Sequence, residues 1–401
     1  MKRGKCKNCS TVEIIFTLGN HFYDFLRVVH DLASVGHPLK NLLGQSNEMP
    51  FEEKPHYMQL PKQVLIGSNA ITRLGEVGQN VTDSRRVVLI SDKDVFQIVG
   101  NRVLDSLNEY KFDVEMVSIT GATSEAVDEA QQTIRQHKAR LVIGCGGGSV
   151  IDTAKLSSAR ESIPFISVPT IASHDGLSSP RASIKQGGTS VSIQGHSPIA
   201  IIADTKIVAQ APFRFMAAGC GDLIANITAV RDWRLANNLG YEYYGAYAAS
   251  LSVMSATIIM KNSKMIRPND IPSARLVLEA LIASGIAMGI AGSSRPSSGA
   301  EHKFSHALDQ ISPKPALHGE QAGLGTIMMA YLHGIDWEEI RSALANIGAP
   351  TNAQQLSIAP KHIIKALVTA HEVNPQRYTI LGKRGLTEEG ARRIAQYTGV
   401  I

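Results

Sequence analysis

Short apolar runs alternate with helical segments between residues 63 and 204, and this alternation constrains the fold more than any other feature. The apolar runs occupy residues 64–66, 87–90, 114–119, 141–143, 165–168 and 199–202. Intervening segments such as 95–107 and 126–137 carry the periodicity of amphipathic helices. Short strands that alternate with helices are typical of βαβ units, so this half of the chain predicts a mostly parallel sheet.

The strand pattern is interrupted once and then ends. Residues 182–184 and 189–193 flank a Lys-Gln-Gly-Gly turn, which predicts a β-hairpin. After Pro212, segments rich in Ala, Leu, Ile and Met predict helices at 217–238, 245–261, 271–292, 321–334, 337–347, 362–370 and 387–397. We therefore expect an α/β domain over residues 56–211 and an all-α domain over residues 212–401, as the length of 401 residues also suggests.

Residues 1–55 do not share this pattern, and we interpret them as an atypical N-terminal extension. Cys6 and Cys9 form a single CxxC pair, whereas zinc sites usually need a second pair or histidines at a set spacing. We therefore read the two cysteines as incidental. Our hypothesis is that residues 1–48 are a misassigned start or a dispensable appendage, since Met49 offers a natural start.

Composition and charge exclude several function classes. Most of the net charge of +5 comes from four basic residues among the first ten, so the remainder is nearly neutral and a nucleic-acid partner is not expected. The hydrophobic share of 44% excludes wholesale disorder, and 4 cysteines exclude a disulfide scaffold. The longest apolar candidate, 280–292, is too short to span a bilayer, so we expect no membrane insertion and a cytoplasmic location.

A glycine-rich turn follows the fourth apolar run and opens a helix. It spans residues 144–152 and reads Gly-Cys-Gly-Gly-Gly-Ser-Val-Ile-Asp. Glycines let the backbone approach a ligand closely, Ser149 can cap the helix, and the free N–H groups of a helix start suit a pyrophosphate. The pattern is neither GxGxxG nor a P-loop, so a tight turn without a ligand is the alternative. Its position after a parallel strand favours dinucleotide binding.

A polar loop at residues 170–179 follows the fifth apolar run. Its hydroxyl groups can hold a nicotinamide amide or a substrate hydroxyl, and Asp175 can accept hydrogen bonds from a polyol. The alternative is purely structural, with Ser173 or Asp175 capping a short helix. Chemistry alone favours neither interpretation.

Three positions in the helical half can form a metal site with an open coordination position. Asp222 lies in an apolar segment, where an unpaired carboxylate is costly. His302 and His306 are four residues apart and share one face of a helix, and His318 follows a proline-bearing loop. One carboxylate with two histidines is the pattern of a catalytic zinc. Spacing leaves open whether His302 is joined by His306 or by His318.

Together these segments resemble the archaeal-type sn-glycerol-1-phosphate dehydrogenases, which share a superfamily with glycerol dehydrogenase, iron-dependent alcohol dehydrogenases and dehydroquinate synthase. The resemblance runs from about His56 to Ile401. It rests on Gly146-Gly-Gly-Ser-Val-Ile-Asp, Pro169-Thr-Ile-Ala-Ser-His-Asp-Gly, Gly219-Cys-Gly-Asp-Leu, Ser298-Gly-Ala-Glu-His-Lys-Phe-Ser-His and His318-Gly-Glu-Gln.

The resemblance implies a dehydroquinate synthase-like fold, with a Rossmann-like α/β domain, an all-α domain and the site in the cleft between them. It implies the reversible reduction of dihydroxyacetone phosphate to sn-glycerol 1-phosphate with NADH or NADPH, which supplies the backbone of archaeal membrane lipids. It also implies a homo-oligomer.

The family's functional positions carry over residue by residue. One Zn²⁺ per subunit falls on Asp222, His302 and His318. The substrate and catalytic positions fall on Asp175, Asp222 and His306. The dinucleotide positions fall on Gly148, Ser149, Val150, Ile151, Asp152, Thr170, Ile171, Ala172, Ser173 and Ser179.

Some alternatives remain open. Asp92, just after the second apolar run, can reach an adenine ribose and disfavour NADP, or serve as a plain turn residue. A glycerol or other polyol dehydrogenase on the same scaffold is the nearest rival activity. Dehydroquinate synthase is disfavoured by the loop at 170–179, and a non-catalytic nucleotide- or metal-binding regulator is disfavoured by the intact ligand set.

Overall fold

The computed structural model describes residues 58–187 and 189–401. The predicted N-terminal extension, including Cys6, Cys9 and the proposed start at Met49, lies outside the described residues. The strands are β1 Gln63–Gly67, β2 Arg86–Ser91, β3 Asp113–Ser118, β4 Leu141–Gly146, β5 Phe165–Pro169, β6 Arg181–Gln186, β7 Thr189–Gln194 and β8 Ala200–Asp204.

Six of the strands form one parallel sheet in the order β1-β8-β5-β4-β2-β3, and β6 and β7 form an antiparallel hairpin. The central strands β4, β5 and β8 are buried along their whole length. Continuous apolar runs of this kind are expected where helices cover both faces of a parallel sheet. The predicted sheet and hairpin are therefore confirmed, with small differences in strand bounds.

Five α-helices accompany the sheet, and short polar side chains cap the starts of three of them. They are α1 Leu74–Val81, α2 Lys93–Glu109, α3 Ser124–His137, α4 Gly148–Arg160 and α5 Thr205–Gln210. The carboxylate of Asp92 accepts a hydrogen bond from the Val95 N–H at 2.8 Å and so caps α2. Thr123 and Asp204 cap α3 and α5 in the same way.

The second half of the described chain is helical. Its helices are α6 Phe213–Asn238, α7 Ala246–Lys261, α8 Ile271–Ala291, α9 Ala300–Ile311, α10 His318–Leu332, α11 Trp337–Ile347, α12 Pro360–Thr369 and α13 Glu388–Tyr397. These bounds match the predicted helices within a few residues, and α9 is an additional one. β8 ends at Asp204 and α6 begins at Phe213, while the division into domains 56–211 and 212–401 stays a prediction.

Helix α8 corrects the expectation that length excludes a spanning segment. It has 21 residues and a mean hydropathy of 1.7, so length and composition alone would let it cross a membrane. However, 61% of its most apolar stretch is buried inside the structure, where Leu278 and Leu281 belong to the hydrophobic core. This burial is typical of the core helix of a globular protein.

Glycines bring α6 close to two other elements. A Cβ on Gly221 would lie 2.3 Å from the carbonyl oxygen of Gly319, and a Cβ on Gly319 would lie 1.9 Å from the carbonyl oxygen of Ala218. A Cβ on Gly219 would lie 2.2 Å from the carbonyl oxygen of Ala172. Only glycine fits at these approaches, so α6 can contact both the start of α10 and the loop after β5.

Gly221→Ala is expected to lower the free energy of unfolding by about 1–3 kcal/mol, because the added methyl group meets a backbone oxygen that cannot turn away. The higher helix propensity of alanine, worth about 1 kcal/mol, acts in the opposite direction. A net decrease in the free energy of unfolding would therefore indicate the close approach of the two helices. Gly121→Ala is the matched control, since a Cβ there meets no atom within 4 Å. Urea denaturation followed by circular dichroism measures both variants, and equal stability would contradict the close approach.

Candidate active site

The centre of the site is the carboxylate of Asp222, on α6, which is only 3% exposed. Its Oδ1 lies 3.3 Å from His302 Nε2 on α9 and 3.6 Å from His318 Nε2 at the start of α10. Its Oδ2 accepts a hydrogen bond from the backbone N–H of Asp175 at 3.0 Å. The structure therefore brings His318, rather than His306, to the carboxylate oxygen that His302 shares.

These three side chains have the geometry and chemistry of a metal site. One ligand atom from each of Asp222, His302 and His318 lies within 4.8 Å of the others, so they could hold one metal ion. A carboxylate with two imidazoles suits a borderline divalent cation and leaves a coordination position open. A ligand set of this kind also explains why an acidic residue is buried in an apolar helix.

Electrostatics within the cluster are strongly coupled. Burial would raise the pKa of Asp222, but the hydrogen bond from His302 and the charges of His318 and His302 outweigh burial and lower this pKa to about 2. Burial would likewise lower the pKa of His302, but hydrogen bonds to Asp222 and Glu301 raise it to about 10. Burial and the nearby positive charge of His302 lower the pKa of His318. The Asp222 carboxylate and the positive charge on His302 thus stabilise each other, and a bound cation would take the place of that positive charge.

Glu301 orients His302 from the opposite side of the ring. Its Oε1 lies 2.9 Å from His302 Nδ1, and its side chain is fully buried. Glu301 also accepts hydrogen bonds from Thr228 Oγ1 at 2.8 Å and from the Gly299 N–H at 2.5 Å. When Nδ1–H donates a hydrogen bond to a carboxylate, Nε2 is left as the ligand atom. This is the usual arrangement behind a metal-bound histidine.

His318 has a comparable set of supports. Glu320, two residues later, accepts a hydrogen bond from the Leu317 N–H at 3.0 Å and pairs with Arg214 at 2.6 Å, which holds the first turn of α10. The other ring nitrogen of His318, Nδ1, lies 3.4 Å from Ser305 Oγ. The start of α10 is therefore fixed beside Asp222.

Asp175 lies beside the cluster and is oriented by a buried hydroxyl network. Its Oδ2 accepts a hydrogen bond from Ser284 Oγ at 2.8 Å, and Ser284 in turn lies 2.9 Å from Asn226 Nδ2 and 2.9 Å from Ser297 Oγ. Burial and the nearby Asp222 carboxylate raise the pKa of Asp175 to about 6. Asp175 thus has one hydrogen-bonded oxygen and a second oxygen for a further donor.

The short helix in this loop is capped by a residue that the sequence did not indicate. The turn Asp175–Leu177 begins after His174, whose Nδ1 accepts a hydrogen bond from the Gly176 N–H at 2.9 Å. Neither Ser173 nor Asp175 is the cap. The cap is His174, the residue before Asp175, and the backbone N–H of Asp175 donates a hydrogen bond to Asp222.

The glycine turn differs from the expectation in one detail. Helix α4 begins at Gly148, with Gly147 in the cap position and no side-chain cap. Ser149 therefore lies inside the first turn and does not cap the helix. A Cβ on Gly148 would lie 2.0 Å from His174 Nε2, so a larger residue there would displace the His174 ring where this turn meets the loop after β5. The uncapped N–H groups of α4 are left free for a ligand at the carboxyl end of β4.

Two further predicted dinucleotide positions have distinct environments. Thr170 is 5% exposed, and its Oγ1 is buried without a hydrogen-bond partner among the described residues. Asp152 accepts hydrogen bonds from Lys155 Nζ at 3.1 Å and from the Ser183 N–H at 3.0 Å. Thr170 therefore offers a free hydroxyl beside the glycine turn, whereas Asp152 is engaged with the hairpin strand β6.

A cavity of about 470 Å³ lies beside the candidate metal cluster. Six of the predicted residues line it, namely Asp152, Asp175, Ser179, His302, His306 and His318. His306 has a buried Nδ1 without a hydrogen-bond partner among the described residues, and its ring centre lies 5.6 Å from that of His318. The remaining predicted positions do not line this cavity: Asp222 lies beside its lining residues His302 and His318, and Gly148 to Ile151 and Thr170 to Ser173 lie at the carboxyl edge of the sheet.

The cavity wall also contains basic residues that the sequence did not single out. Lys303 on α9 and Arg377 both line it. Burial and the nearby charges of Arg377 and Arg295 lower the pKa of Lys303 to about 8. The motif around His302 contains this lysine, but its burial depends on packing that a linear pattern does not reveal.

Comparisons with known proteins agree with this architecture. Residues 65–212 match the family model described as iron-containing alcohol dehydrogenase. A protein of Methanosarcina acetivorans named glycerol-1-phosphate dehydrogenase (NAD(P)+) is 51% identical over 86% of this chain and 97% of its own length. A protein of the same name from Pyrococcus furiosus is 50% identical over 86% of this chain and 100% of its own length.

Solved structures confirm the predicted fold class. A probable glycerol dehydrogenase from Sinorhizobium meliloti matches with a TM-score of 0.72 and 18% identity over 86% of this chain and 98% of its own. The NADH-dependent butanol dehydrogenase A from Thermotoga maritima matches with a TM-score of 0.66 and 18% identity, over 86% and 98% of the two chains. At this identity the match concerns the dehydroquinate synthase-like fold alone.

Glu301→Gln is expected to weaken divalent-metal binding by about 10- to 100-fold, because loss of a carboxylate behind a ligand histidine typically has this effect. Competition with a chromophoric chelator measures the affinity of each variant for Zn²⁺. The control is Glu279→Gln, which removes a half-exposed carboxylate paired with Arg275 on the surface of α8. Equal metal affinity in the Glu301→Gln variant and the control would show that Glu301 does not orient a metal ligand.

Proposed function

The chain belongs to the glycerol-1-phosphate dehydrogenase family, and we propose that it reduces dihydroxyacetone phosphate to sn-glycerol 1-phosphate with NADH or NADPH, reversibly. The relatives with this name match it at about half of all positions over nearly their whole length. The observation that carries the proposal is the convergence of Asp222, His302 and His318 beside a cavity that Asp175 and His306 also line. The proposal includes a cytoplasmic, homo-oligomeric enzyme whose product supplies the backbone of archaeal-type membrane lipids.

The ligand set fits one Zn²⁺ per subunit. Asp222, His302 and His318 would hold the ion, since their ligand atoms converge and one carboxylate with two imidazoles is a donor set that Zn²⁺ takes at catalytic sites. When bound, the ion supplies Lewis acidity, which stabilises the negative charge that develops on a ketone oxygen during hydride transfer. Glu301 maintains the orientation of His302 throughout.

Asp175 and His306 would contact the substrate directly. Ser284 fixes one carboxylate oxygen of Asp175 and leaves the other to accept a hydrogen bond from a substrate hydroxyl. His306 lines the cavity, with its Nδ1 3.8 Å from Asp309 Oδ2, and this position supports a hydrogen bond from its ring to the bound substrate. Because both side chains line one cavity, a small three-carbon molecule can meet both of them.

The dinucleotide would lie along the carboxyl edge of the sheet. Within the segment 148–152, the N–H groups of the first turn of α4 that precede Ile151 suit its pyrophosphate, as does the positive end of the α4 dipole. The unpartnered hydroxyl of Thr170 and the buried Ser179 lie beside that edge and suit its nicotinamide end. Asp92 caps α2. That its carboxylate also contacts the adenine ribose of the dinucleotide stays a prediction.

Chelation tests the metal-dependent reaction. We expect oxidation of NADH or NADPH with dihydroxyacetone phosphate to fall to background after dialysis against a chelator and to return with added Zn²⁺, because the developing alkoxide needs the cation. Chiral analysis of the product is expected to give sn-glycerol 1-phosphate. Unchanged turnover after removal of the metal would refute the zinc role, and faster turnover of unphosphorylated ketones or polyols would favour the polyol dehydrogenase alternative.

Two histidine variants separate metal binding from substrate binding. His318→Ala is expected to lose both the metal and activity, because it removes a ligand. His306→Ala is expected to retain the metal and to raise KM for dihydroxyacetone phosphate by about tenfold, the effect of one lost hydrogen bond to a charged or polar partner. Metal analysis and steady-state kinetics measure both effects, and metal loss in His306→Ala would reverse the assignment.

A further inference from the structure

We propose that Lys303 and Arg377 form a subsite that binds the phosphate group of the substrate and so selects a phosphorylated ketone. The inference rests on the proposed function and adds the residues that recognise the phosphate. Both side chains line the cavity that His302, His306 and His318 also line. The subsite is thus in the same enclosure as the candidate metal cluster.

Lys303 lines the cavity without a hydrogen bond or ion pair among the described residues, although the charge of Asp232 acts on it from beyond ion-pair distance. It is 4% exposed, and within residues 58–187 and 189–401 no hydrogen-bond acceptor and no carboxylate contacts its ammonium group. Lysine is almost never buried to this extent unless it is paired, because an unpaired charge is poorly solvated there. A negatively charged ligand in the cavity would supply the missing partner.

Arg377 is oriented by neutral groups only. Its Nη1 donates to the Ser298 carbonyl oxygen and its Nη2 donates to Ser294 Oγ, each at 2.8 Å. In the described part of the chain, no carboxylate lies within ion-pair distance of this guanidinium. Burial and the positive charge of Arg295 lower its pKa to about 10, while the charges of Glu242 and Glu301 act in the opposite direction, so the guanidinium is charged at neutral pH.

Arg295 shows the contrast with a structural arginine. Its Nε donates to Glu242 Oε2 at 2.7 Å, its Nη2 pairs with the other oxygen of Glu242, and its Nη1 donates to the Tyr378 carbonyl oxygen at 3.0 Å. Because Glu242 pairs with Arg295, that arginine is not available to a ligand, whereas Lys303 and Arg377 line the cavity without an ion pair; Arg181, on β6, lines it too and bonds only to Ser192 and Gln194. Two such charges match the dianion of a phosphate ester, which takes charge-assisted hydrogen bonds from both side chain types.

The order of residues on α9 supports one binding mode. Lys303 directly follows the candidate ligand His302 and precedes His306 by three residues, so the three side chains occupy neighbouring positions around the helix. A ketone oxygen at the Asp222 cluster and a phosphate at Lys303 and Arg377 would lie in one cavity of about 470 Å³. An unphosphorylated polyol would leave both cations unpaired.

The test compares Lys303→Met and Arg377→Met with the control Lys361→Met, which removes an exposed lysine near the start of α12. Steady-state kinetics are measured with dihydroxyacetone phosphate and with unphosphorylated dihydroxyacetone. We expect KM for dihydroxyacetone phosphate to rise by about 10- to 100-fold in the first two variants, because each loses a charge-assisted hydrogen bond. The preference for the phosphorylated substrate is expected to fall at least about tenfold, and Lys303→Arg to recover part of it.

Equal losses with both substrates would overturn the proposal, as would an unchanged KM. A rise in KM for NADH or NADPH instead would assign the two cations to a cofactor phosphate and overturn it as well. Calorimetric titration with inorganic phosphate is independent of turnover. If the protein does not reduce dihydroxyacetone phosphate, the proposed function fails, while phosphate binding that both variants weaken would still support the subsite, and no binding would overturn it.

Discussion

The buried carboxylate of Asp222 is the interaction on which the rest of the site depends. It contacts His302 on α9, His318 at the start of α10 and the backbone of Asp175 in the loop after β5. A carboxylate that is 3% exposed is stable only when its charge is matched, so these partners have to converge on it. In this way one side chain joins the parallel sheet to three helices of the second half.

This convergence is possible because α6 has no side chains where its neighbours approach. Gly219 and Gly221 lie on either side of Cys220, directly before Asp222, and the backbones of Ala172 and Gly319 occupy the space that their Cβ atoms would need. Close packing and site geometry therefore have the same origin. A substitution that pushed α10 away would also move His318 from the carboxylate.

The cavity has charge of both signs at different places. One side holds Asp175 and the Asp222 cluster, where a cation completes the ligand set. Lys303 and Arg377 also line the cavity, and neither has a carboxylate of the described residues within ion-pair distance. A small ketone with a phosphate at one end is complementary to this charge distribution. A cation at the Asp222 cluster would stabilise the negative charge that develops on the ketone oxygen, and the two basic side chains would stabilise the phosphate dianion.

The general fold could be predicted from the sequence because its signals are local. Strands buried on both faces, such as β4 and β5, read as continuous apolar runs, and the helices α2 and α11 show clear periodicity. The spanning potential of α8 was misjudged because its Ser and Gly positions interrupt the apolar run without interrupting the helix.

Features of the site that depend on three-dimensional packing could not be predicted in the same way. The spacing of His302 and His306 on one helix did not reveal that His318, from another helix, is nearer to Asp222. The family resemblance implied the ligand set Asp222, His302 and His318. The roles of Glu301 and Lys303 could be inferred only from their burial and contacts in the structure. The cap at His174 was missed because a histidine is not a usual cap residue.

The most direct measurement is X-ray diffraction from crystals of the zinc-loaded protein with dihydroxyacetone phosphate, recorded on both sides of the zinc absorption edge. We predict one anomalous peak per subunit, about 2.0–2.2 Å from an oxygen of Asp222 and from Nε2 of His302 and His318. The substrate ketone is expected beside the peak. A peak at other residues, or a substrate bound elsewhere, would contradict the central claim that this cluster is the site of ketone reduction.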